Sequence, residues 1–184
     1  GLILEAYGIE VAPRRRATTP QEAVAAAREL GLPVVVKLDG PAHKSAAGGV
    51  VLGLESLDAV ARAAAQLGSR VLVARQIPRG PECLCGIFRD RDHGPVLVVG
   101  RGGAGVEQSR PVLCLAPIDR EIAIALVREA GLPDAALALA DVLVALGRLA
   151  CEQPRVAAVD INPLILGPGG AIAVDALVEI GAVQ

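Results

Sequence analysis

Aromatic rings are almost absent from this chain. Tyr7 and Phe88 are alone among 184 residues, and there is no tryptophan. A platform for single-stranded nucleic acid needs rings on which bases stack, so that class is excluded. A net charge of −2 removes the basic footprint of a nucleic-acid binder as well. Cys-x-x-Cys pairs are missing. Cys83, Cys85, Cys114 and Cys151 lack zinc-site spacing and read as small apolar side chains of a reduced, cytoplasmic protein. No apolar run approaches the ~20 residues that a membrane-crossing helix needs. Methionine is absent too, and the chain opens on Gly1, so the expectation is a piece of a longer polypeptide.

What remains is aliphatic. Hydrophobic residues make up 53% of the chain, enough for a buried core in one domain or in one domain with two lobes. Residues 20–30 read as a helix, with Thr18 or Thr19 as cap, Pro20 in the first turn and Gly31 as the stop. Residues 56–67, 119–130 and 134–151 also read as helices, the last with an apolar face of Leu139, Val142, Leu143, Leu146 and Leu149. Short β-branched or alternating runs at 32–37, 50–54, 70–77, 82–89, 96–99, 112–115, 156–166 and 171–174 read as strands. Short turns join several of these strands. The pattern predicts an α+β fold with antiparallel sheets rather than a doubly wound parallel one. Cys83 and Cys85, two apart on one strand, fall on the same side.

Two motifs carry chemistry. The first is His43-Lys44-Ser45-Ala46-Ala47-Gly48-Gly49-Val50, just past the strand that ends in Lys37. A strand-borne lysine can serve as a point charge for phosphate. A Gly-Gly pair lets backbone N–H groups approach an anion. A histidine can hold a covalent intermediate, although a lone loop histidine is also often plain surface. The second is Val159-Asp160-Ile161-Asn162-Pro163-Leu164, with Asp175 at the end of the next apolar run. On a strand Asp160 and Asn162 share one face. If the two runs pair as a hairpin, their oxygens converge with that of Asp175 in a set that suits Mg²⁺. The alternative is structural, since Asp-x-Asn-Pro also makes turns.

The stretch from Lys37 through the HKS and GGV-x-LGL residues to INPL and Val174-Asp175 resembles the ATP-grasp domain of the ADP-forming acyl-CoA synthetases, the succinyl-CoA synthetase-like superfamily. The likeness runs from Ala6-Tyr7-Gly8-Ile9 to Asp175. It implies an ATP-grasp fold over 1–184, with lobes of about 14–73 and 74–184 and a nucleotide between them. It implies ATP or ADP and Mg²⁺ as cofactors, and His43 as the phosphohistidine. Lys37, Gly48, Gly49, Ala74 at the adenine hinge and Glu82 would bind nucleotide. Asn162 and Asp175 would hold the magnesium, with Asp160 in support, and Gly102-Gly103 with Glu107 would form the glycine-rich loop. The implied partner is a CoA-binding or CoA-ligase domain or subunit that brings the acyl-CoA, in a dimer or hetero-oligomer. Cys114 stands where an arginine is usual, and the Lys37-to-His43 connection is about two residues shorter than usual. Two other readings fit these departures or the fold: a degenerate nucleotide-sensing or scaffolding module, and an ATP-grasp carboxylate ligase that needs no histidine.

Overall fold

The computed structural model describes residues 2–39, 49–68, 70–103, 110–167 and 169–181. The chain divides into two compact units, one of residues 12–77 and one of 1–11 with 78–184.

In the contiguous unit, strands β1 (Arg14–Ala17), β2 (Val34–Leu38), β3 (Val50–Leu54) and β4 (Val71–Arg75) form an antiparallel sheet in the order β1-β4-β2-β3. Helices α2 (Pro20–Leu30) and α3 (Leu57–Leu67) start where a hydroxyl caps a free amide. Glu22 N–H donates to Thr19 Oγ1 at 3.1 Å, and Ala59 N–H donates to Ser56 Oγ at 3.2 Å. Their alanine stripes (Ala23, Ala26, Ala27; Ala63, Ala64) meet Val34, Val36, Val71 and Val73 in one buried layer. Period-two alternation turns the other residues of these strands to the opposite face.

In the other unit, six strands form a sheet in the order β10-β8-β5-β6-β7, with β9 also paired to β8. These are β5 (Glu82–Asp90), β6 (Gly94–Arg101), β7 (Val112–Leu115), β8 (Val156–Gly167), β9 (Gly170–Ala173) and β10 (Ala176–Ile180). Helices α4 (Arg120–Glu129) and α5 (Ala138–Glu152) pack on one face. Leu139, Leu143, Leu146 and Leu149 of α5 share a core with Cys83, Cys85, Ile87, Leu97, Val99, Val159 and Ile161. The first helix, α1 (Leu2–Ala6), sends Leu4 into that core, and Val11 bridges to Ala173.

The expected α+β class with antiparallel sheets is what the chain adopts. Three elements went unread in the sequence: α1, β1 and β10. The expected helix over 134–151 begins as a 3₁₀ turn, Asp134–Leu137, and continues as the α-helix Ala138–Glu152. Cys83 and Cys85 lie on one side of β5, as their spacing implied, and that side is the buried core face. Burial pushes the Cys83 thiol up to about 11 and the Cys85 thiol higher still, so neither forms a reactive thiolate near neutrality.

Two outcomes are expected. In thiol alkylation at pH 8, the exposed Cys151 reacts first, Cys114 more slowly, and Cys83 and Cys85 only after unfolding, as read by mass spectrometry. Gly86→Ala would drive a methyl into the Val159 carbonyl oxygen at the centre of the β5–β8 pair, so the backbone must shift. Chemical denaturation should show a loss of about 1–3 kcal/mol. Gly167→Ala, which meets nothing within 4 Å, should change stability by less than ~0.5 kcal/mol.

Candidate active site

In the contiguous unit, the sheet face away from the helices carries Val35 and Lys37 of β2. Ala74 lies opposite Val35, and Leu72 lies opposite both Lys37 and Arg16 of β1. Lys37 is 5% exposed and is the one buried charged side chain among the described residues. An ammonium out of water is tolerated only where negative or polar partners compensate for its lost hydration. Asp39, two residues on, pairs with Arg16 at 3.1 Å, and its own N–H donates to the Arg70 carbonyl. Lys37 and Ala74, named separately in the sequence, thus lie on one face of this sheet. Nothing in the sequence pointed to Arg16 and Asp39, because a run of three arginines does not look like a strand.

In the other unit, β8 alternates buried Val159, exposed Asp160, buried Ile161 and exposed Asn162. Asn162 N–H donates to the Asp175 carbonyl at 3.1 Å, and Val174 N–H donates to the Pro163 carbonyl at 3.0 Å. The hairpin that the sequence left conditional is therefore formed, and Asp175 sits opposite Asn162. The same register continues through Ala176 opposite Ile161 and Leu177 opposite Asp160. Asp175 Oδ1 also accepts from Ala176 N–H at 3.1 Å. Gly86 of β5 is paired with Asp160, so no side chain crowds that carboxylate from this neighbour.

Two carboxylates and one amide oxygen on one face are a hard donor set, and it fits Mg²⁺. Among the described residues no three His, Cys, Asp or Glu side chains cluster as a metal site. A cation here would depend on the amide oxygen and on ligands from water or phosphate.

Glu82 opens β5 at an exposed position. Gly102 N–H donates to its carbonyl at 2.8 Å. Gly103, at φ 81°, lies so close that a Cβ there would be 2.7 Å from Glu82 Oε2. The two pieces that the sequence offered separately, a strand-opening glutamate and a glycine pair, form one corner. His43, Gly48 and Glu107 lie outside the described residues, while Gly49 is described, its carbonyl accepting from Leu38 N–H at 2.9 Å. Cys114 packs partly buried against the core.

A family model described as an ATP-grasp domain matches residues 2–180. The chain is 37% identical over 201 residues to the beta subunit of acetate–CoA ligase (ADP-forming) I of Pyrococcus furiosus, covering 95% of this chain and 86% of that subunit. It is 35% identical over 205 residues to acetate–CoA ligase (ADP-forming) I of Archaeoglobus fulgidus, covering 97% of this chain but only 30% of that longer protein. Among solved structures, the dinucleotide-forming acetyl-coenzyme A synthetase 1 of Ca. Korarchaeum cryptofilum, in complex with coenzyme A, Ca-AMPCP and HgCl⁺, superposes with a TM-score of 0.89 at 30% identity. That match covers 97% of this chain and 90% of the other. The same synthetase with coenzyme A and Mg-AMPPCP, described with its phosphohistidine segment pointing towards the nucleotide binding site, gives a TM-score of 0.82 at 31% identity, covering 96% of this chain and 88% of the other.

Proposed function

The chain belongs to the ATP-grasp domain family, and from that premise we propose that it is the nucleotide-binding, phosphoryl-transfer part of an ADP-forming acyl-CoA synthetase. The full reaction converts acyl-CoA, ADP and phosphate to acid, CoA and ATP, reversibly. It needs a CoA-binding partner domain or subunit, in keeping with relatives that are subunits or longer chains.

The observation that carries this reading is the register that sets Asn162 opposite Asp175, with Asp160 two residues along on the same face. These oxygens would hold the Mg²⁺ of a nucleotide, which when bound neutralises phosphate charge. Lys37 donates to a phosphate oxygen as a charged hydrogen-bond donor. Ala74 and Glu82 contact the nucleoside, and the Gly48 and Gly49 amides approach the transferred group. A ring nitrogen of neutral His43 attacks the terminal phosphorus of ATP, the bond from that phosphorus to the ADP oxygen breaks, and the ring proton leaves to solvent. The reverse step returns the phosphoryl group to ADP. One difficult transfer is thereby split into two easier ones.

Calorimetry should detect ATP or ADP binding that Mg²⁺ strengthens, and Lys37→Ala should weaken it by about 1.5–3 kcal/mol through loss of a charged hydrogen bond. Asn162→Ala with Asp175→Ala should remove the magnesium dependence while the denaturation midpoint stays near wild type. A large loss of metal-free stability would instead make these oxygens structural.

The decisive measurement is label from γ-³²P-ATP on the chain. It should be acid-labile, base-stable and absent in His43→Ala. Nucleotide binding without label would identify a sensing module, and activity retained in His43→Ala would identify a direct acyl-phosphate ligase.

A further inference from the structure

Strand β3 contains one residue too many for its partner. Val34 lies opposite Leu54, but Val36 lies opposite Val51, so Leu52 and Gly53 together face Val35. Gly53 takes φ 69° with open space around it, so its glycine answers to conformation rather than crowding. Such a bulge leaves one amide without a ladder partner. Here that amide is satisfied from two strands away. Gln76 extends β4 by one rung, its own N–H donating to the Pro33 carbonyl at 3.1 Å. Its side chain crosses β2 on the face that carries Ala74 and Lys37, and its Oε1 accepts from Gly53 N–H at 2.6 Å.

This contact governs more than one amide. With the extra residue in place, Val51 packs toward the apolar layer, Val50 lies opposite Lys37, and Leu38 N–H reaches the Gly49 carbonyl at 2.9 Å. Without it, pairing beyond the bulge slips by one residue. Every side chain from Gly49 to Leu52 would then change face, because a strand's period is two. Residues 38 and 49 flank the stretch that contains His43, so the bulge sets where the returning end of that stretch is anchored relative to Lys37. The geometry points to Gln76 as a positioning residue for phosphoryl transfer, acting through the Gly53 bulge to hold Gly49 beside Leu38. The transfer role rests on the phosphohistidine reading above; the clamp itself does not.

The test compares wild type with Gln76→Ala and Gln76→Glu, the latter keeping an acceptor oxygen on a side chain of equal length. Three quantities are read: amide exchange at Gly53 by NMR, the dissociation constant of Mg-ATP, and the rate of label uptake from γ-³²P-ATP. For Gln76→Ala, Gly53 exchange should rise about five- to tenfold, the scale of one net hydrogen bond. Labelling should slow about tenfold, while Mg-ATP affinity stays within about threefold. Gln76→Glu should stay close to wild type in all three. Unchanged Gly53 exchange in Gln76→Ala overturns the clamp. Wild-type labelling in that variant, or a Gln76→Glu that behaves like Gln76→Ala, overturns the positioning role. A wild-type chain that never labels overturns the phosphohistidine reading and the transfer role together, and Gly53 exchange then decides the clamp alone.

Discussion

The ladder of β8 is the constraint on which the larger unit depends. Its twelve residues pair with β5 along one edge and with β9 and then β10 along the other. Because both edges are committed, the strand cannot slip without breaking several ladders at once. That rigidity sends Val159 and Ile161 into the leucine face of α5 and leaves Asp160 and Asn162 outside. A slip of one residue would bury two polar groups and expose two apolar ones, so core formation and oxygen placement are one event. Asp175 enters the same arithmetic by lying in the single break between β9 and β10.

The smaller unit solves a different problem. Its helices lie on one side of a four-stranded sheet and meet it through alanines, so the layer between them is thin. The opposite face bears the one buried charged side chain among the described residues, the ammonium of Lys37 at 5% exposure. A stability-driven choice at that position would be aliphatic, like its neighbours Val34, Val35 and Val36.

Much of this structure is legible in the residues themselves. Helix starts were legible because Thr19, Ser56 and Asp119 each cap a nearby amide. The face shared by Asp160 and Asn162 followed from alternation alone, as did the common side of Cys83 and Cys85, while their burial followed from their apolar character. Strand β1 was not legible, since Arg14-Arg15-Arg16 forms a strand only because β4 offers an edge to pair with. The Gly53 bulge was hidden for a related reason. A bulge is a mismatch in count between two strands, and a single strand's pattern does not record its partner's count. The corner of Glu82, Gly102 and Gly103 was half legible: each piece could be named, but their contact depends on how β5 and β6 pair.

One consequence concerns the order in which the chain can fold during synthesis. The unit of residues 12–77 is contiguous, and its first and last strands lie side by side, with Arg75 N–H donating to the Pro13 carbonyl at 2.8 Å. All its pairings close as soon as Gln76 is made. Residues 2–11 come before that unit in the sequence, yet Leu4 and Ile9 belong to the core of the other unit, and the Glu10 carbonyl accepts from Ala173 N–H. These apolar residues must wait for a strand made more than 160 residues later. Local contacts form early and distant ones late. Residues 2–11 are thus buried later than the unit that follows them, their apolar side chains unshielded while that unit folds.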